Sequence, residues 1–328
     1  MRTTSATVCR FLIPTLILLA SPLPGEESPK ARADALVRAG LELGGDNLEE
    51  AADRYRTARE LYREAGDLRG QAHCWLYLAT IEDQRGETAS AVATLRESLA
   101  LLRRLDDGLG AWVVLTLIGD AENRSGRHQE ARRDSEEALE VLAALEDSGA
   151  ALNTETIEAF AEQTYCPNAA GWKGFASVPP ALQTVVLRVF RALNFQAIAG
   201  AERELGHPEA ALEALRQALE LSQPMGLLDD EIHRSMADTY QGLGKHDEAR
   251  EHLEAILEIA RQSGDWEREV EILNEIADLE RRQGRRDAAI ERYREVLEIA
   301  QLMGHEELEA KTIERMEEVR REMGRGGW

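Results

Sequence analysis

Glycine recurs on a fixed beat along this chain. Gly45, Gly86, Gly126, Gly206, Gly244, Gly284 and Gly324 open one pattern, at intervals of 41, 40, 80, 38, 40 and 40 residues. The interval of 80 reads as two periods with one degenerate copy between them. The segments GKHDEAREHLEAILEIA from Gly244 and GRRDAAIERYREVLEIA from Gly284 agree at nearly every apolar position. A unit repeated at this period cannot bury its apolar face alone. It must stack on its neighbours, so the expected architecture is a solenoid.

Each period splits in two. After the glycine stand small residues at Ala51, Ala91, Ala131, Ala211, Ala249 and Ala289, then Tyr55, Leu95, Ser135, Leu215, Leu253 and Tyr293 four positions on. Three further on come Ala58, Ser98, Ala138, Ala218, Ile256 and Val296. Steps of four and three keep these on one face of a helix. A second breaker follows, as in Gly66-Asp67, Asp106-Asp107-Gly108 and Gly264-Asp265. Glycine ends one helix in the left-handed conformation and aspartate caps the next. Before each opening glycine lies another helix, marked by Trp75-Leu78-Ala79, Leu115-Ile118-Gly119, Phe195-Ile198-Ala199, His233-Met236-Ala237 and Leu273-Ile276-Ala277. A bulky and a small residue on one face let a neighbouring helix approach closely.

The spacing Trp/Leu-x-x-Leu-Gly/Ala…Gly-x-x-x-x-Ala…Ala resembles the tetratricopeptide repeat, in the longer variety of about 40 residues. Trp75, Leu78, Ala79, Gly86 and Ala91 match the family's key positions in one unit; Gly119, Gly126, Ala131 and Ala138 match them in the next. The match runs from about residue 31 to 323. It implies an all-α, right-handed superhelical solenoid of about seven helix-turn-helix units. The family's helix-A tyrosine is kept only at Tyr240; Glu82, Glu122, Glu202 and Glu280 stand there elsewhere.

Residues 26–162 and 181–323 form the two repeat-bearing stretches, with a tail at 324–328. Between them 163–180, QTYCPNAAGWKGFASVPP, carries three prolines and two glycines where a second helix is due, so it reads as a loop. Its Trp172 and Phe175 are candidate binding residues, because long loops in compact arrays are often functional. Residues 1–25 read as a signal peptide: Arg2 and Arg10 precede an apolar run from Phe11 to Ala20, too short to span a bilayer. Export to the periplasm or beyond is therefore expected, and no membrane span in the mature chain.

Acidic residues outnumber basic ones 61 to 39, for a formal charge of −22. That field repels phosphate backbones and no basic stripe opposes it, so nucleic acid is not an expected partner. No phosphate-binding glycine loop, Gly-x-Ser-x-Gly or His-Glu-x-x-His is present, so no enzyme, cofactor or metal is expected. His246 and His252 fall on different helix faces, and His73, His128, His207 and His233 read as packing or surface residues.

What remains is surface. The resemblance implies a concave face lined by the first helix of each unit, where peptides bind. Counting ten, six and three positions back from each glycine marks Leu76, Thr80 and Asp83; Thr116, Asp120 and Asn123; Gln196 and Arg203; Arg234, Asp238 and Gln241; and Asn274, Asp278 and Arg281. A non-enzymatic scaffold for a protein or peptide partner is the expected function. The alternatives are a self-assembling structural element, and the sensing component of a signalling or peptidase system whose catalytic domain is on another chain.

Overall fold

The computed structural model describes residues 28–43, 47–148, 180–222, 226 and 228–325. They are all-α. The helices are α1 (Pro29–Leu43), α2 (Leu48–Glu64), α3 (Leu68–Gln84), α4 (Thr88–Arg104), α5 (Gly108–Arg124), α6 (His128–Ser148), α7 (Pro180–Glu204), α8 (Pro208–Ser222), α9 (Asp229–Gly242), α10 (His246–Ser263), α11 (Trp266–Arg282), α12 (Arg286–Met303) and α13 (Glu306–Arg325). Each packs on the helix before and after it, so the described helices form a solenoid of six hairpins followed by α13. We call the first helix of each hairpin A and the second B.

The turns follow from the sequence. Gly86 has φ +78°, a conformation that strains any residue with a Cβ, and the next amide, of Glu87, donates back to the Glu82 carbonyl at 2.9 Å. The same closure recurs at Gly126, Gly206, Gly244 and Gly284, whereas Gly324 lies inside α13 and turns nothing. At the second breaker Asp67, Asp107 and Asp265 cap the following helices, accepting from the amides of Gly70, Gly110 and Arg268 at 2.9, 2.9 and 3.0 Å. Asp106, at φ 53°, holds the left-handed position that glycine takes at 66 and 264.

Every apolar or small position predicted for the B helices, from Ala51 to Val296, is buried. On the A helices Leu78, Ala79, Leu115, Ile118, Gly119, Ile198, Ala199, Met236, Ala237, Leu273, Ile276 and Ala277 are buried too. Trp75 is half-buried, its ring 4.0 Å beneath the Arg59 guanidinium. The core is thus a string of small clusters, one in each gap between helices, as expected of a stack in which each unit meets only its neighbours.

Between the two repeat stretches, α7 packs directly on α6 and touches α5. Trp112 of α5 stacks on Phe190 of α7 at 4.1 Å between ring centroids, and Leu187 and Phe190 share a buried cluster with Leu142 of α6. The loop residues Trp172 and Phe175, and the degenerate copy, lie outside the described residues, as does the apolar N-terminus.

Candidate functional site

The candidate residues on the A helices fall along a seam where successive A helices meet. Arg124 of α5 donates twice to the Asp83 carboxylate of α3, at 2.8 and 2.7 Å. One repeat pair further on, Asn123 Nδ2 reaches the Ala197 carbonyl of α7 at 3.5 Å. Arg234 of α9 pairs with Glu275 of α11, and Gln241 donates to the same carboxylate at 3.4 Å. Asn274 of α11 accepts from Arg315 of α13 at 2.8 Å, and Arg281 meets Glu322 at 3.1 Å and Glu318 at 3.4 Å. Apart from Asn123 and Ala197, these partners lie close to one repeat apart in the chain, so the register seen in the sequence is realised as a polar seam.

Individual positions differ. Asp120 and Asp238 are exposed and take no hydrogen bond from the described residues. Protein mass around the Asp120 carboxyl, and after it the like charge of Asp83, raise its pKa against the pull of Arg124. Arg203 is exposed and Gln196 half-buried. The Thr80 and Thr116 hydroxyls turn back onto the Leu76 and Trp112 carbonyls at 3.0 and 3.1 Å. Asp278 accepts from the buried Tyr293 hydroxyl at 2.7 Å.

Leu76 does not belong to this surface. It is 1% exposed and joins the buried cluster that includes Val92 and Val113. The position ten before the glycine lies in the seam between A helices. Arg234 and Asn274 reach out from that position to pair across it, whereas leucine gains by being covered.

A second layer was not anticipated. Three of the glutamates that replace the family's tyrosine, Glu122, Glu202 and Glu280, are turned inward, towards arginines of the preceding B helix, while Glu82 accepts from Thr94 of α4 at 2.7 Å. Glu122 is 2% exposed and takes Arg96 of α4 at 2.9 Å, with Asp134 of α6 on the same guanidinium at 2.8 Å. Burial, and after it Asp134, raise the Glu122 pKa. Glu202 takes Arg132 of α6 at 3.0 Å, and His207 lies 2.8 Å from its other oxygen. Although burial opposes it, those two partners lower the Glu202 pKa. Glu280 is 3% exposed, one of its oxygens has no partner, and burial raises its pKa against the attraction of Arg292, Arg250 and Arg285. The signal was in the sequence, as an arginine six or ten places after one glycine and a glutamate four places before the next.

Two histidines on neighbouring helices meet. His233 of α9 and His252 of α10 bring their Nδ1 atoms within 2.9 Å, with Tyr240 stacked on His252 at 5.5 Å. Desolvation lowers both pKa values, that of His252 to about 4, with His233 and Arg216 adding to the fall. Among the described residues no three groups converge as metal ligands. No described helix is long and apolar enough to cross a membrane. A hollow of about 440 Å³ between α2 and α3 is lined by Arg56, Arg59, Glu60, Trp75, Leu78 and Glu82, among others. The Cys74 thiol is buried, and that burial pushes its pKa up to about 12, away from nucleophilic use.

Family models of the tetratricopeptide repeat match residues 195–224 and 230–301. Among solved structures, the apo form of RapI superposes with a TM-score of 0.54 at 12% identity, over 89% of this chain and 99% of that one. Kinesin light chain nearly identical TPR-like repeats from Podosopora anserina superpose with a TM-score of 0.51 at 16% identity, over 74% of this chain and 100% of that one. At these identities the likeness is one of fold. No curated protein matches the sequence. The glycine period, the stacked hairpins and the two family matches agree: the chain is a tetratricopeptide-repeat protein.

Proposed function

We propose that this protein is a non-catalytic scaffold that holds a protein or peptide partner along the A-helix face, and that it does so after export. The observation that supports this most is the alignment of A-helix side chains at one register in successive repeats. Pairs such as Asp83–Arg124 and Asn274–Arg315 hold neighbouring A helices in step. Between them Asp120 and Asp238 stand exposed and unsatisfied, ready to take donors from an extended chain.

The test uses those two residues. Asn274, Asp278 and Arg281 each hold a neighbouring helix, so changing them disturbs the stack as well as the surface. Asp120→Lys with Asp238→Lys leaves the hydrogen bonds intact. A partner retained from the exported fraction by the native chain and released by this variant, with circular dichroism unchanged, supports the A-helix face. Equal retention by both moves the site elsewhere. Cell fractionation tests the location: accumulation in the cytoplasm with residues 1–25 intact would overturn export.

A further inference from the structure

We propose that the hollow between α2 and α3 is a second ligand site, one that takes a carboxylate carried on a flat apolar body. Its volume of about 440 Å³ falls within the range of small-molecule pockets.

One residue opens it. Leu99, Leu139, Leu219, Leu257 and Leu297 stand at one register of the B helices, and at the same register of the first hairpin stands Arg59. Leu99 is 2% exposed and shares a buried cluster with Leu115 of the next helix. In the first hairpin those two places are taken by Arg59 and Trp75. The Arg59 guanidinium lies flat over the indole, 4.0 Å from its centroid, and the space beside them stays open. A charge at a register that otherwise holds leucine costs packing, and departures from a local rule concentrate at functional sites.

The lining selects the ligand. Trp75 and Leu78 supply an apolar floor. Beside it stand Arg56 and Arg59, each a fork of five N–H donors. Arg59 spends Nη2 on Glu60 at 2.8 Å, and Arg56 spends Nη1 on Asp53 at 2.7 Å, with Glu49 3.7 Å away. The lining carboxylates are already served. Glu60 takes Arg59 on one oxygen and Arg63 on the other, and Glu82 takes the Thr94 hydroxyl at 2.7 Å. Donors are thus in surplus around an apolar floor. A carboxylate is the acceptor that a guanidinium fork matches best, and an aromatic ring suits a floor that contains an indole. Trp75, Leu78 and Glu82 fall on one side of α3 and Thr80 and Asp83 on another, so this site is separate from the A-helix face.

NMR titration of the full chain with 3-phenylpropionate, and with an acetylated tripeptide ending in phenylalanine, tests the proposal and separates a free acid from a chain end. Binding of at least one acid is expected, with a dissociation constant on the order of 1 mM or lower. The corresponding amide should bind on the order of tenfold more weakly. Arg59→Leu installs the residue of the other hairpins, so the helical signal should stay while binding falls on the order of tenfold or more. Arg56→Gln, at an exposed position, should weaken binding about fivefold and decides the matter should Arg59→Leu lose its fold. A native chain that binds neither acid overturns the proposal. So do amides that bind as well as the acids, or arginine variants that bind as the native chain does. Asp120→Lys with Asp238→Lys leaves this binding unchanged, which separates it from the partner assay.

Discussion

Arg132 on α6 lies 3.0 Å from Glu202 on α7, although 70 residues separate them in the chain. The pair bridges the junction between the two repeat stretches, and Glu202 lies on the helix that also carries Phe190, whose ring stacks on Trp112. Like Glu122 in the preceding hairpin, Glu202 stands four places before its glycine and takes an arginine of the preceding B helix, although Arg132 comes six places after its glycine and Arg96 ten. The junction is therefore built by the rule that joins ordinary neighbours.

Glu202→Gln should weaken the fold at neutral pH. The substitution keeps the shape and removes the charge facing Arg132 and His207. Glu202 is 7% exposed, but Arg132 is partly solvated, so the expected loss is about 1 kcal/mol. The carboxyl's folded pKa is lowered. Its contribution is therefore present above the unfolded value of about 4.3 and lost as pH falls through the folded one. Urea midpoints of both proteins should differ at pH 7 and converge in acid.

Glu280→Gln should do the reverse. Here the folded pKa is raised, so the unfolded state releases the proton first, and the ionised side chain costs stability at neutral pH. Its contribution is complete below about pH 4.3 and disappears as pH rises through the folded value. The glutamine variant should gain on the order of 1 kcal/mol at pH 7 and nothing at pH 4. A loss at pH 7 would mean that the attraction of Arg250, Arg285 and Arg292 outweighs the desolvation.

These two glutamates also show where sequence reasoning stopped. The helix boundaries, turns and buried B-helix faces were legible because they rest on local rules: glycine's left-handed turn, aspartate capping and a fixed helical step. Glu202 and Glu280 stand at equivalent positions in the repeat, yet one is paired and the other not. That outcome depends on where the preceding B helix places its arginine, which periodicity does not give. Leu76 was misplaced for a related reason: its register is that of Asn274, but its fate is set by what α5 lays over it. His233 and His252 sit on different helices of one hairpin, and neither one's sequence neighbours announce the contact.

That histidine pair should make stability fall on mild acidification. Both imidazoles are held neutral, His252 with a pKa near 4, while unfolded histidine takes a proton at about pH 6.5. Between those values the unfolded chain binds more protons, so stability declines as pH drops. Asp229 and Asp230 favour the charged form of His233, and Arg216 disfavours that of His252. A loss on the order of 1–2 kcal/mol is expected over this range, discounted for partial exposure of both rings. His252→Phe keeps a ring against Tyr240 and should flatten that part of the profile. An unchanged slope in urea titrations from pH 7 to 4 would remove the pair from the acid response.

Two glycines should fail for different reasons when changed to alanine. At Gly70 a Cβ would come within 2.5 Å of the Tyr62 ring. That ring is buried and tethered, its hydroxyl donating to Asp34 at 2.6 Å, so it has little room to yield. Gly70→Ala should cost about 1–3 kcal/mol through overpacking. At Gly86 nothing lies within 4 Å, and the cost comes from φ +78° alone, about 1 kcal/mol. Tyr62→Leu in the same chain separates the mechanisms. Shrinking the ring should relieve much of the Gly70→Ala penalty, giving strong non-additivity in a double-mutant cycle, whereas Gly86→Ala should add to Tyr62→Leu independently. Thermal melts of the four variants and the native chain measure both couplings. Additivity at Gly70 would show that the α2–α3 contact relaxes without the tyrosine moving.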